Sequence, residues 1–135
     1  TYPIAATNIV SDNNNYLYNQ ENGYDADGSA MEAYIESGGI QMGDGEEFMF
    51  VNRMIPDFYF RGASGSASMT VTMKGKDFPL NSSTTLATST VTSSTNQSYI
   101  RARTRESIIR FASTGTGYGW TLGDMRFDIR PDGRR

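Results

Sequence analysis

Polar and apolar residues alternate with a period of two along most of this chain. From Ser66 to Phe78, Ala67, Met69, Val71 and Met73 fall on one parity, and Ser68, Thr70, Thr72 and Lys74 on the other. Successive side chains of a strand point to opposite faces, so the pattern predicts a strand with one buried face. Ala30–Ser37 repeats it: Met31, Ala33 and Ile35 oppose Glu32, Tyr34 and Glu36, which predicts a half-buried strand. Glu46–Phe60 is the most apolar stretch. Phe48, Phe50 and Met54 share one parity and Met49, Val51 and Ile55 the other, so both faces are expected to be partly covered. Pro56 lacks a ladder donor and marks a bend, a bulge or an edge within it.

Tyr99–Phe111 changes phase midway. Ile100, Ala102 and Thr104 face one way, and Tyr99, Arg101, Arg103 and Arg105 the other. Beyond Glu106, Ile109 and Phe111 become the apolar pair, against Arg110. A bulge near Glu106 in one long bent strand would reset the phase in this way. In Trp120–Arg130, Met125, Phe127 and Ile129 are expected to point inward, with Arg126, Asp128 and Arg130 outward and Gly123 breaking the phase. Thr84–Thr95 is nearly all Ser and Thr around Leu86, Ala87 and Val91. It reads as a solvent-washed edge strand or, failing that, a flexible low-complexity tip. The first thirty residues are rich in Asn, Asp and Gly, side chains that compete with strand ladders, and only Tyr16–Asn19 looks strand-like.

These elements predict an all-β fold, an antiparallel β-sandwich of roughly six to eight strands. Residues 1–29 form an extended, loop-rich arm and residues 30–135 the sandwich domain. The 14 glycines, 4 prolines and abundant Ser and Thr suit short strands joined by turns. No run approaches the length of apolar residues that spans a bilayer as a helix. A chain opening "TYPIAATNIV" instead of with Met reads as the tail end of a longer polypeptide.

Charge divides the chain. Residues 1–57 hold ten acidic residues and one basic, Arg53, for a net −9; residues 58–135 hold eleven basic and five acidic, for +6. Opposite signs in two halves predict that one part meets the other, within a subunit or between subunits. The spacing of Arg101, Arg103 and Arg105 puts three guanidinium groups on one strand face. Three uses are open to them. They can lie on a solvated face or in ion pairs, meet carboxylates of a facing subunit, or touch DNA phosphates.

Catalytic chemistry finds little footing. Cysteine and histidine are both absent. Disulfides, thiolate metal sites and histidine-based nucleophilic sites are thereby excluded within this chain. Asp25–Glu32, "DADGSAME", looks like a fragment of a calcium loop, but lacks the glycine at position six, the glutamate at position twelve and the flanking helices, and reads as an acidic turn. Glu46–Glu47 and Asp124/Asp128 are the nearest carboxylate pairs, without diagnostic spacing. "GASGSAS" (62–68) lacks the lysine and helix of a phosphate loop. No cofactor is expected, and the chain reads as a non-enzyme.

Four segments carry a resemblance: Asp12–Gly23 "DNNNYLYNQENG", Phe48–Phe60 "FMFVNRMIPDFYF", Tyr99–Phe111 "YIRARTRESIIRF" and Gly117–Arg135 "GYGWTLGDMRFDIRPDGRR". Together they resemble the carboxyl-terminal portion of tail nozzle, or tail tubular, proteins of short-tailed bacteriophages and the related packaged-DNA stabilisation proteins. The resemblance runs from about Val10 to Arg135, and "RMIPDF" and "RFDIRPDGRR" are its most specific parts. It implies a structural component of the virion tail, acting by assembly and not catalysis. Copies would form a ring, a hexamer, below the portal and its adaptor. The ring would line the DNA exit channel, touch other tail proteins and meet DNA transiently. The family brings no catalytic residues. Its β-rich, propeller-like main body lies outside the matching portion. The residues expected at an interface or channel are Arg101, Arg103, Arg105, Arg110, Arg126, Arg130, Arg134 and Arg135. A second reading is a glycan-binding, host-attachment module using Tyr99, Tyr118 and Trp120.

Overall fold

The computed structural model describes residues 9–11, 17–19, 23–62 and 67–134. Every regular element among them is a strand. β1 (Ile9–Ser11) and β2 (Leu17–Asn19) form an antiparallel hairpin that pairs with no other strand among the described residues. Ten further segments follow: β3 (Ala33–Glu36), β4 (Ile40–Gln41), β5 (Met49–Ile55), β6 (Phe58–Arg61), β7 (Ser68–Lys76), β8 (Thr84–Thr92), β9 (Ser98–Thr104), β10 (Glu106–Ser113), β11 (Gly119–Leu122) and β12 (Arg126–Pro131).

Several segments are halves of bent strands. β3 and β4 both pair with β10, on the edge away from β7, and form one interrupted edge strand. At the break Ser37 takes over the ladder: its amide donates to the Ile109 carbonyl and its hydroxyl accepts from the Ile109 amide, both at 2.9 Å. β5 and β6 part at Pro56–Asp57, β11 and β12 at Gly123–Met125, and the two breaks face each other. Asp57 accepts there from the Gly123 amide (2.8 Å) on its carbonyl and from the Asp124 amide (3.0 Å) on its carboxylate. Counted this way, the region holds seven strands in an all-β antiparallel sandwich. One sheet runs β3/β4-β10-β7-β8; the other runs β12-β5-β9 and continues as β11-β6. β8 is an edge strand, as the Ser/Thr run predicts.

The core lies between the sheets. Met69, Val71 and Met73 of β7 and Ile109 and Phe111 of β10 meet Met49, Val51 and Met54 of β5 and Ile100 and Ala102 of β9. Phe58 packs edge-on against Phe111 and Trp120, extending the core toward β6 and β11. β9 runs straight into β10 through Arg105, and with that single residue the chain crosses from one sheet to the other. The phase change near Glu106 is this crossing. Thr104 pins it: its buried hydroxyl shares its proton between the carbonyls of Lys76 (3.1 Å) and Glu106 (2.9 Å). Gly75 lets it sit there, because a Cβ at that position would strike the Thr104 side chain.

Two expectations need correction. β3 is exposed along its whole length. Ile35 faces the core side, opposite buried Phe111, yet is 47% exposed because no strand lies beyond it. Ile129 also shares the inner side, opposite Val51, but on the outermost strand it remains 39% exposed. Alternation fixes which side a residue faces; burial needs a neighbour on that side. Arg135 and most of the 62–68 loop lie outside the described residues. Among the described residues no helix is long and apolar enough to cross a membrane.

Candidate functional site

The outer face of the β12-β5-β9 sheet collects most of the arginines singled out above. Burial of Ile100, Ala102 and Thr104 turns Tyr99, Arg101, Arg103 and Arg105 outward. Two rows cross the sheet on this face: Arg130, Phe50 and Arg103 in one, Asp128, Arg53 and Tyr99 in the next. Between them the ladder is irregular. Ile100 and Arg101 of β9 stand against Asn52 alone, and β12 has no residue opposite Asn52. Arg101 takes φ 49°, a left-handed conformation rare for a side chain of its size. The bulge aims Arg101 away from the regular row.

Arginines and rings stack here. The Arg103 and Arg105 guanidinium groups lie 3.8 and 4.7 Å from the ring centre of Phe48, which is only 8% exposed beneath them. Arg130 lies 4.8 Å from the ring of Phe50. Arg103 also donates from Nε to the Asp132 carboxylate (2.6 Å) and from Nη2 to the Asp132 carbonyl (3.1 Å). Arg105 Nη2 donates to the Arg134 carbonyl (2.9 Å). The backbone joins in: the Phe48 amide donates to Gly133 (2.7 Å) and the Asp132 amide to Phe48 (2.8 Å). Arg103 and Arg105 are thus a clamp on the last residues of the chain. Arg134 lies 3.8 and 3.6 Å from Glu46 and Glu47, in the open.

Arg110 lies on the outer face of the other sheet. It meets Glu32 at 2.6 Å and Glu36 at 3.5 Å, over the ring of Tyr34. Lys74 meets Glu36 and Lys76 meets Glu106, at 2.7 and 2.8 Å. The Lys74 hydrogen bond, with help from Arg110, holds the Glu36 carboxyl below its ordinary range against the opposing effect of burial. Lys76, then Gln41, do the same for Glu106. Glu32 above all pushes the Arg110 guanidinium up.

Six of these eight ion pairs join residues 1–57 to residues 58–134, so among the described residues the two charged halves meet inside one chain. What remains is a short list of exposed arginines. Arg61, Arg101, Arg126 and Arg130 have no carboxylate partner among the described residues, and Arg101 and Arg130 flank the rows just described. Arg53 beside them reaches Asp128 at 3.8 Å and Gln97 at 3.3 Å, and its buried Nε has no acceptor. Tyr99, 58% exposed, and Ile55 complete the face.

The aromatic trio of the glycan reading is not gathered in one place. Tyr99 lies on the arginine face. Tyr118 is buried, donating to the Ser68 carbonyl (2.7 Å), and Trp120 donates to the Ser113 hydroxyl (2.9 Å). The latter two line a cleft of about 600 Å³ between β3 and β11. Sequence reading missed that cleft because its rim comes from Tyr24, in the loop-rich arm; the ring packs where Gly62 and Gly119 leave room. The acidic stretch at Asp25 folds as a tight turn through Ala26–Ser29, and Asp25 accepts from the Gly117 amide at 2.6 Å. Glu46 and Glu47 face Arg134, and Asp128 faces Arg53. No protein-family model matches the chain, and no curated protein matches it.

Proposed function

We propose that this chain is a virion structural module of the tail nozzle type, which works by packing against further copies of itself and not by catalysis. The observation that carries the reading is the arginine face: Arg101, Arg126 and Arg130 stand exposed on one sheet with no carboxylate partner among the described residues, beside Tyr99 and Ile55. An exposed sheet face dominated by one sign of charge and dotted with aromatic side chains suits a partner surface. The same chain offers the complement. Asp27, Asp44, Asp77 and Asp124 are exposed and make no ion pair among the described residues. A contact between two different patches of identical subunits is heterologous, and closes into a ring when its rotation allows.

The placement of the resembling segments supports the same reading. Phe48–Phe60, Tyr99–Phe111 and Gly117–Arg135 supply every strand of the β12-β5-β9 sheet. The arginines also suit a channel wall. Those anchored on rings and carbonyls are held to the sheet, which leaves few to grip phosphate as DNA slides past.

The test is the mass and outline of the full chain by native mass spectrometry and electron microscopy across concentration. Closed rings of one copy number support the proposal. A monomer at all concentrations overturns it, as does turnover of any substrate by purified material.

A further inference from the structure

We propose that the free edge of β3 is completed by a strand from a second copy of this chain, supplied by that copy's β1–β2 hairpin. The inference rests on the assembly reading and names one of its contacts.

β3 is a sheet edge left unfinished. It pairs with β10 on one side and with nothing on the other among the described residues. Ile35 faces the core side yet is 47% exposed, and Met31, two turns of the alternation earlier, is 56% exposed. Beside them runs the cleft of about 600 Å³, walled on its far side by Trp120 and Leu122 of β11. The sandwich is therefore open along one flank, with apolar side chains and unpaired backbone groups exposed together. Natural sheets blunt such edges with charge or cover them. Here the nearby charge is already neutralised, Glu32 by Arg110 and Glu36 by Lys74. An incoming strand meets no bare carboxylate on β3.

The hairpin has the reciprocal deficit. Among the described residues, Ile9–Ser11 and Leu17–Asn19 pair with each other and with no other strand. An isolated two-stranded hairpin is marginal in water, and a third strand is what such a unit needs. Charge fits as well. Residues 1–22 contain Asp12 and Glu21 and no Lys or Arg, while Arg61 at the cleft is exposed without a carboxylate partner among the described residues. Strand addition supplies main-chain hydrogen bonds for affinity and side-chain pockets for register. Within one copy the hairpin and β3 are not paired among the described residues, and we take the donor to be a second copy. Exchange of an element between identical subunits is a low-cost route to assembly.

Photo-cross-linking tests this in the full chain. One population carries p-benzoylphenylalanine in place of Tyr18; a second is wild type and uniformly isotope-labelled. The two are mixed, irradiated, digested and read by mass spectrometry, with sedimentation velocity on the same mixture. The expected result is a cross-link from the unlabelled hairpin to the labelled peptide containing Ala33–Glu36. It should be lost when the labelled chain carries Ile35→Lys or Met31→Lys, two exposed positions whose substitution leaves the thermal melt in place. Cross-links confined to the hairpin's own chain, or directed to another surface, overturn the proposal. Association without any cross-link to β3 overturns it and leaves the assembly reading standing. Absence of association overturns both.

Discussion

The two outer faces of this sandwich differ in how much of their charge is paired among the described residues. On the β3/β4-β10-β7-β8 sheet the cations Lys74, Lys76 and Arg110 each have a carboxylate within 2.8 Å. Around them lie threonines in facing pairs, Thr70 with Thr90 and Thr72 with Thr88. On the β12-β5-β9 sheet Arg103, Arg105 and Arg130 lie on phenylalanine rings; Arg103 and Arg53 meet Asp132 and Asp128, but Arg101, Arg126 and Arg130 find no carboxylate among the described residues. Both faces come from the same alternating pattern. A face whose charges cancel locally keeps a protein soluble and adds little stability, since exposed pairs contribute about 0–1 kcal/mol. A face with cations left over is the one that the proposed assembly would use.

The contrast can be broken most forcefully at Phe48. Phe48→Ala removes the ring under Arg103 and Arg105 and loosens the chain end, and should cost about 3 kcal/mol in denaturant unfolding. Thr72→Ala on the other face should change stability by less than about 0.5 kcal/mol. Equal effects would show that the arginine face is no better anchored than the threonine face.

Glycine substitution separates two neighbours on β9. Arg103→Gly loses a stacked cation, a hydrogen-bonded pair and strand stiffness, and should cost about 1–2 kcal/mol. Arg101→Gly relieves a left-handed backbone at φ 49°, which offsets the entropy glycine adds to the unfolded chain. It should leave stability within about 0.5 kcal/mol, as thermal melts of the two variants would show.

The smallest effect is in pH. Glu36 and Glu106 are held below the ordinary carboxylate value of 4.5 in the folded state. Their pairing therefore stabilises the fold above that value and is lost as pH falls through the lowered folded value. Lys74→Met should flatten part of the acid limb of the stability curve below about pH 4.5 and change nothing near neutrality beyond a small offset. Asp132→Asn on the other face should leave the acid limb attributable to Glu36 untouched.

Much of this was legible in the sequence, and the exceptions have physical causes. The β7 alternation named Met69, Val71 and Met73 as core, and all three are buried. The phase change after Arg105 was visible, but the bulge in one long strand expected there is instead a change of sheet, because a single strand carries no record of its partners. β3 shows the same limit. Its parity was right, but burial needs a neighbour on that side, and none lies there among the described residues. In the candidate site, the outward row of arginines could be read from spacing alone. That Arg103 and Arg105 hold Asp132 and Arg134 could not, since those groups lie 29 residues away in sequence. The Asn52 irregularity was hidden too, because β5 is apolar on both parities.

These contacts decide which arginines can report on assembly. Reversing Arg103 would break the clamp as well as any interface. Arg101, Arg126 and Arg130 have no carboxylate to lose among the described residues, so their reversal isolates the outward role. Sedimentation velocity of the full chain, wild type against Arg101→Glu/Arg126→Glu/Arg130→Glu, with thermal melts alongside, is the most direct test. The account predicts an assembled wild type and a monomeric variant whose melting temperature stays within about 4 °C. A variant that assembles like the wild type, or a wild type that never assembles, would contradict it.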